Sequence, residues 1–343
     1  MNVVITGGAG FLGARLARTL LALPALSLAG AAPTLITRIT LVDRANPPAD
    51  LQADPRVAAV VGDLNELLQP GPSGSTAVPA GTDAVFHLAA AVSGECEADF
   101  DLGMRSNFDA TRALLEACRA LGSQPVLVYA SSVAVFGNLP GHPPLGLIDD
   151  DTLPTPQSSY GIQKFIGEQL VADFGRKGFI RGRSTRLMTV SVRAGRPNGA
   201  ASSYLSGIIR EPLAGERSVC PVPADTVVAL SSPGRTIEGI IRAAEASDAD
   251  WGPFTAINLP ALTTNVGDMV AALGRVAGPA ATALVDWKTD PAILRLAQSW
   301  PGHVASPRAQ GLGLVADADF EVIVRAFVRE HPEAIRLPGM APA

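Results

Sequence analysis

Apolar residues in the first part of the chain fall into short runs, separated by stretches in which they recur every three or four positions. Val3 to Thr6, Ile39 to Asp43, Val57 to Gly62, Ala84 to Ala89, Val126 to Tyr129 and Leu187 to Val192 read as strands. Between the first two, Leu12, Leu16, Leu20 and Leu23 share one helical face, and Pro24 ends that helix. Such alternation predicts βαβ units and a parallel sheet covered by helices on both faces, an α/β doubly wound architecture. The alternation fades after about residue 194, although Phe254 to Leu259 reads as one more strand returning to the sheet. The pattern therefore divides the chain into residues 1–193, completed by a return strand near 254–260, and a smaller, interleaved C-terminal domain mostly within 194–343. Gln69 to Thr82 and Asn138 to Gln157 are rich in loop-forming residues, and the second is long enough to serve as a lid.

Composition narrows the class. With 343 residues, 47% hydrophobic and 17% charged, the chain can bury a large core without disulfides or structural metal. A net charge of −5 and scattered Lys and Arg argue against a nucleic-acid partner and for a small ligand. Cys96, Cys118 and Cys220 stand far apart, and so do His87, His142, His303 and His331, so no metal is expected and a reducing cytoplasm fits. Thr19 to Thr37 is uncharged and about long enough to cross a bilayer, but Pro24, Gly30 and Pro33 interrupt it. It reads as a helix end and a loop, with no membrane partner.

Chemistry enters at the strand ends. Thr6-Gly7-Gly8-Ala9-Gly10-Phe11-Leu12-Gly13 follows the first strand and opens the first helix. Glycines at 7, 10 and 13 permit a tight turn, a close approach to a pyrophosphate and close packing of helix on strand, and the helix N-terminus supplies N–H groups to that anion. This is the context of a Rossmann-type dinucleotide site. Asp43 ends the second strand, where a carboxylate accepts ribose hydroxyls and repels a 2′-phosphate, so NAD is expected over NADP. The spacing from Gly13 to Asp43 is about ten residues longer than the usual figure of about 20, which an insertion around Pro24 to Thr37 accounts for. Gly62-Asp63-Leu64 follows the third strand and His87-Leu88-Ala89-Ala90 the fourth, with small residues that let a cofactor lie against backbone. His87, inside an apolar strand, reads as a hydrogen-bonded core histidine.

Tyr160-Gly161-Ile162-Gln163-Lys164 places a phenol and an ammonium on one helical face. A free tyrosine near pKa 10 is a poor base at neutral pH, but a lysine and an oxidised nicotinamide both favour the phenolate. Tyr160 can then take an alcohol proton while hydride leaves the same carbon. Ser131 and Ser132 end the fifth strand and are candidates to hold the substrate hydroxyl. All these groups lie at the carboxyl ends of parallel strands, where open α/β sheets bind ligands.

Together, T-G-G-A-G-F-L-G, Asp43, H-L-A-A, S-S and Y-x-x-x-K resemble the extended short-chain dehydrogenase/reductase family, also called the NAD-dependent epimerase/dehydratase family, over roughly the first 200 residues. The resemblance implies Ser132, Tyr160 and Lys164 as catalytic residues, with Lys164 also on the nicotinamide ribose. It implies Asn107 on a helix facing the site, where a helix cap is the alternative, and a homodimer paired through helices near Met104 to Leu121 and Ser159 to Phe174. Cofactor contacts are then expected at Gly7, Gly10, Phe11, Leu12, Gly13, Asp43, Asp63, Leu64, Leu88, Ala89, Ala90, Asn107, Tyr160 and Lys164.

Two segments depart from the nucleotide-sugar members of that family. Val228 to Thr236 stands where those members carry an R-x-Y-x-H-V-x-D type segment, and Arg193-Ala194-Gly195-Arg196-Pro197-Asn198 alters their R-P-x-N segment. Extra arginine beside the reacting carbon suits a small carboxylate held through two parallel hydrogen bonds. Thr189 to Glu211, Ser231 to Arg235 and Gly311 to Gly313 resemble members that oxidise the C2 hydroxyl of a four-carbon sugar acid. The expected substrate contacts are Ser131, Ser132, Tyr160, and Arg196 or Arg235. Nucleotide-sugar epimerisation or dehydration, and a cofactor-binding scaffold without catalysis, are the alternatives.

Overall fold

The computed structural model describes residues 1–69, 75–195 and 199–337. In chain order its strands are β1 (Asn2–Thr6), β2 (Arg38–Asp43), β3 (Val57–Val61), β4 (Ala84–His87), β5 (Val126–Ser132), β6 (Arg181–Leu187), β7 (Thr189–Val190), β8 (Ser218–Cys220), β9 (Val227–Ser231), β10 (Ile257–Asn258), β11 (Leu262–Asn265) and β12 (Val285–Trp287). Seven of them form one sheet in the order β10-β6-β5-β4-β1-β2-β3, every neighbouring pair parallel. The order turns back between β1 and β4, and a crevice opens at the carboxyl ends of these strands.

Strand alternation sends side chains to two cores. Val3 and Ile5 of β1, with Phe86 and Val128, pack under the Phe11–Ala22 and Pro233–Glu245 helices, where Leu16, Leu20, Ile237 and Ile240 are buried. Val4, Val85, Leu127 and Tyr129 face the other way, against Leu114 and Cys118 of the Ala110–Ala120 helix and Val171 of the Ser159–Arg176 helix. Both faces are covered, which is why these strands read as nearly continuous apolar runs.

Beyond β6 the chain builds smaller pieces. β11, β9 and β7 form a three-stranded sheet, β12 pairs with β8, and helices Tyr204–Leu213, Val266–Ala277 and Phe320–Glu330 close a separate core around Ile208, Leu230, Met269 and Val324. β10 returns to pair with β6 at the edge of the main sheet, as the Phe254 to Leu259 run predicts.

One strand differs from the expectation. The apolar run Leu187 to Val192 suggests the sixth strand, yet the sheet takes Arg181–Leu187, and Thr189–Val190 joins β9 in the small sheet. Charge hides β6 from a reading by hydrophobicity. Arg183 and Arg186 are both buried in it, the first donating to Asp248 and the second forming a two-pronged pair with Glu168 at 2.9 Å on each arm. The Asn138 to Gln157 loop is also more firmly held than an open lid. Ile148 bridges to Val304, and the Asp150 carboxylate accepts N–H groups from Asn258 at 2.6 Å and Arg308 at 3.2 Å. Thr19 to Thr37 is a helix end followed by a loop, and among the described residues no helix is long and apolar enough to cross a membrane.

Candidate active site

The crevice at the strand ends encloses a cavity of about 530 Å³. One end of it is the turn after β1. Gly7 has φ +72, a left-handed conformation that favours glycine, and a Cβ on Gly13 would stand 2.1 Å from the Gly7 carbonyl oxygen, so helix Phe11–Ala22 can start here only with glycine at both places. Its N-terminus carries no side-chain cap and no acid in the first turn, and Gly10, Phe11, Leu12 and Gly13 all face the cavity. That leaves first-turn N–H groups and a partial positive charge for an anion.

Next along the wall stands Asp43. Its Oδ2 accepts the Ala9 N–H at 3.0 Å and its Oδ1 the Ala45 N–H at 3.2 Å, which fixes the carboxylate and leaves lone pairs for two hydroxyls. Arg44, beside it, is drawn to Asp63 at 2.5 Å. Asp63 and Leu64 after β3, and Leu88, Ala89 and Ala90 after β4, complete that wall. An uncapped helix end, a paired-hydroxyl acceptor and a floor of small residues fit the pyrophosphate, ribose and rings of a dinucleotide.

The other end holds Ser132, Tyr160 and Lys164. Ser158 caps the Ser159–Arg176 helix by accepting the Gly161 N–H, which starts the helix beside the end of β5 and brings Tyr160 to Ser132. Burial pushes the Tyr160 phenol up to about 12, against the Ser132 hydroxyl beside it; Cys96 also raises it and Arg193 lowers it. Lys164 lies 5.7 Å from the centre of the Tyr160 ring, donates to the Ala130 carbonyl at 2.9 Å, and is brought down to about 8 by burial. A phenol, a hydroxyl and an ammonium thus converge at one end of the cavity, a set able to move a proton to or from an alcohol.

Several residues are placed otherwise than the sequence suggests. Ser131 lines the cavity, but its hydroxyl donates to Glu168 at 2.5 Å; neighbouring strand residues point to opposite faces, so it does not share Ser132's outlook. Asn107 is buried behind the wall, its carbonyl accepting the Ala91 N–H at 2.8 Å and its amide donating to Gln163 at 2.9 Å. It braces the loop after β4 against the tyrosine helix. Arg235 pairs with Glu238 at 2.7 Å and lines a different cavity with Asp317 and Glu330. Arg196 lies outside the described residues. His87, by contrast, is the hydrogen-bonded core histidine that the sequence suggests, Nδ1 to Thr6 at 2.6 Å and Nε2 to Thr111 at 3.0 Å, and burial holds it down to about 3.

The cavity also includes residues that the motifs do not mark: Ser93, Thr189, Ser202, Trp300 and above all Arg193, a guanidinium in the same cavity as the tyrosine. Thr189, Arg193 and Ser202 fall within Thr189 to Glu211, the stretch that resembles the sugar-acid-oxidising members, which is a signal. Trp300 arrives from the far end of the chain, and nothing local marks it.

Known proteins resemble the chain along most of its length. The model of the NAD dependent epimerase/dehydratase family matches residues 3–226. The chain is 47% identical over 333 residues to a D-erythronate dehydrogenase of Cupriavidus necator, covering 96% of this chain and 98% of that protein. It is 39% identical to a D-erythronate dehydrogenase of Haemophilus influenzae, covering 96% and 99%. A solved nucleoside-diphosphate-sugar epimerase of Agrobacterium tumefaciens superposes with a TM-score of 0.85 at 36% identity, over 97% of this chain and 95% of that one. L-threonine 3-dehydrogenase of Trypanosoma brucei, at 23% identity and a TM-score of 0.81 over 98% and 99%, shares the fold.

Proposed function

The chain belongs to the NAD-dependent epimerase/dehydratase family, and from that premise we propose that it oxidises the C2 hydroxyl of D-erythronate to the 2-oxo acid, with NAD as acceptor. The observation that carries this reading is the extent of the likeness to the two D-erythronate dehydrogenases. It runs through the C-terminal half, which supplies Arg193, Ser202 and Trp300 to the cavity. Residues 1–193, with the return near 254–260, are assigned to NAD, and most of 194–343 to the substrate. A homodimer in the cytoplasm completes the proposal.

In this reading Gly7, Gly10 and the first turn from Phe11 to Gly13 hold the pyrophosphate, Asp43 the adenosine ribose, and Asp63, Leu64 and Leu88 to Ala90 flank the rings. Bound NAD supplies a hydride acceptor and a positive charge at the tyrosine end. Ser132 donates to or accepts from the substrate C2 hydroxyl and orients it. Tyr160 receives the proton of that hydroxyl at its phenolic oxygen. Lys164, whose ammonium is tied to the Ala130 carbonyl, stands where its charge and its remaining N–H groups serve the nicotinamide ribose and the phenolate.

The test is production of reduced nicotinamide from D-erythronate. Tyr160→Phe should lower kcat by about 10²–10⁴-fold, the usual worth of a positioned general base, while NAD binding measured by calorimetry stays unchanged. An active Tyr160→Phe enzyme would refute the mechanism. The Agrobacterium likeness makes nucleotide-sugar epimerisation the second reading; turnover of a UDP-sugar without net reduced nicotinamide would favour it.

A further inference from the structure

Arg193 is a cation in a place that does not suit one. Its side chain is partly buried in the cavity wall, and desolvation weakens its hold on its proton, as does the neighbouring Arg210. Arg210 has a counterion, Glu211 at 2.5 Å. Arg193 has none among the described residues. Among the described residues its guanidinium makes one long contact, 3.5 Å to the Ser202 hydroxyl. Its backbone, by contrast, is pinned: the N–H donates to Ser206 at 3.0 Å, and the carbonyl accepts from the Arg210 guanidinium at 2.7 Å. A fixed root and an uncommitted fork describe a side chain held ready for a ligand. Withdrawing a charge from water without a partner is costly, and an incoming anion offsets that cost.

Arg193 lines the same cavity as Tyr160 and Ser132, and its charge favours the ionised form of the phenol. A substrate whose hydroxyl rests on Tyr160 and Ser132 therefore brings its neighbouring carbon toward the guanidinium. We propose that Arg193 is the residue that selects a 2-hydroxycarboxylate, binding through its planar fork the carboxylate next to the reacting carbon. A charge-assisted, two-pronged contact of this kind accepts the flat carboxylate and rejects an uncharged substituent of the same size. The assignment rests on the dehydrogenase reading above and replaces Arg196 and Arg235 as the carboxylate anchor.

The experiment compares D-erythronate with its uncharged amide, in the wild type and in Arg193→Gln and Arg193→Lys, with NAD affinity measured separately by calorimetry. The wild type should prefer the acid. Arg193→Gln should raise KM for the acid by about 100-fold, the scale expected for losing a charged hydrogen-bonded pair, leave the amide unaffected and leave NAD affinity unchanged. Arg193→Lys, which keeps the charge and loses the fork, should fall between. An inert wild type sinks the dehydrogenase reading and this assignment with it. An active wild type whose preference for the acid survives Arg193→Gln sinks the assignment alone. If Arg193→Gln does not fold, Arg193→Lys decides, and a preference equal to the wild type's overturns the proposal.

Discussion

A tyrosine near 12 and a lysine near 8 at one end of the cavity show how far burial moves a single side chain. The sequence shows the spacing of Tyr160 and Lys164 but not their desolvation, which depends on residues far away in the chain. His87 makes the same point and can be tested. Its folded value is depressed from 6.5 to about 3 because burial disfavours the imidazolium. Between those values the unfolded chain binds a proton that the folded chain refuses. Its contribution is therefore fully present above pH 6.5 and is lost as pH falls toward 3, at up to about 1.4 kcal/mol per pH unit. Urea titrations of the wild type and His87→Gln should show a stability difference that is larger at pH 7 than at pH 4. A difference independent of pH would contradict this account.

Among elements, β6 and the tyrosine helix are coupled by charge. Glu168 sits two helical turns beyond Tyr160, fully buried, accepting from Arg186 of β6 and from Ser131 of β5. Removing one partner of a buried pair strands the other charge and costs about 3–5 kcal/mol, whereas removing both leaves no charge behind. Glu168→Gln should therefore lower the melting temperature sharply, and Glu168→Met with Arg186→Met should recover most of the loss. Calorimetric melting measures both, and equal melting temperatures for the single and double variants would refute the coupling. The same arginines explain the missed strand: hydrophobic runs reveal β1 to β5, but a strand that buries arginine among partners from other elements carries no such run.

At the scale of the molecule, the proposed homodimer is the assembly question, and the chain offers an apolar surface for it. Ile162, 47% exposed on the tyrosine helix, lies within a segment expected to pair, and Phe100, 61% exposed, lies in the Phe100–Gly103 helix just before the other. Light scattering should give twice the mass of one chain, and Ile162→Glu should shift it toward the monomer; a monomeric wild type would refute the dimer. The amino-acid sequence by itself determined the parallel sheet, the glycine turn, Asp43 and the Tyr160–Lys164 pair, because each depends on local periodicity or on residues a few positions apart. Only the tertiary structure decided which strand lies sixth, that Ser131 turns to Glu168, that Arg235 lies in another cavity and that Arg193 and Trp300 line the cavity that holds Tyr160. Those outcomes depend on which distant segments supply counterions, acceptors and apolar walls, and no local pattern encodes that pairing.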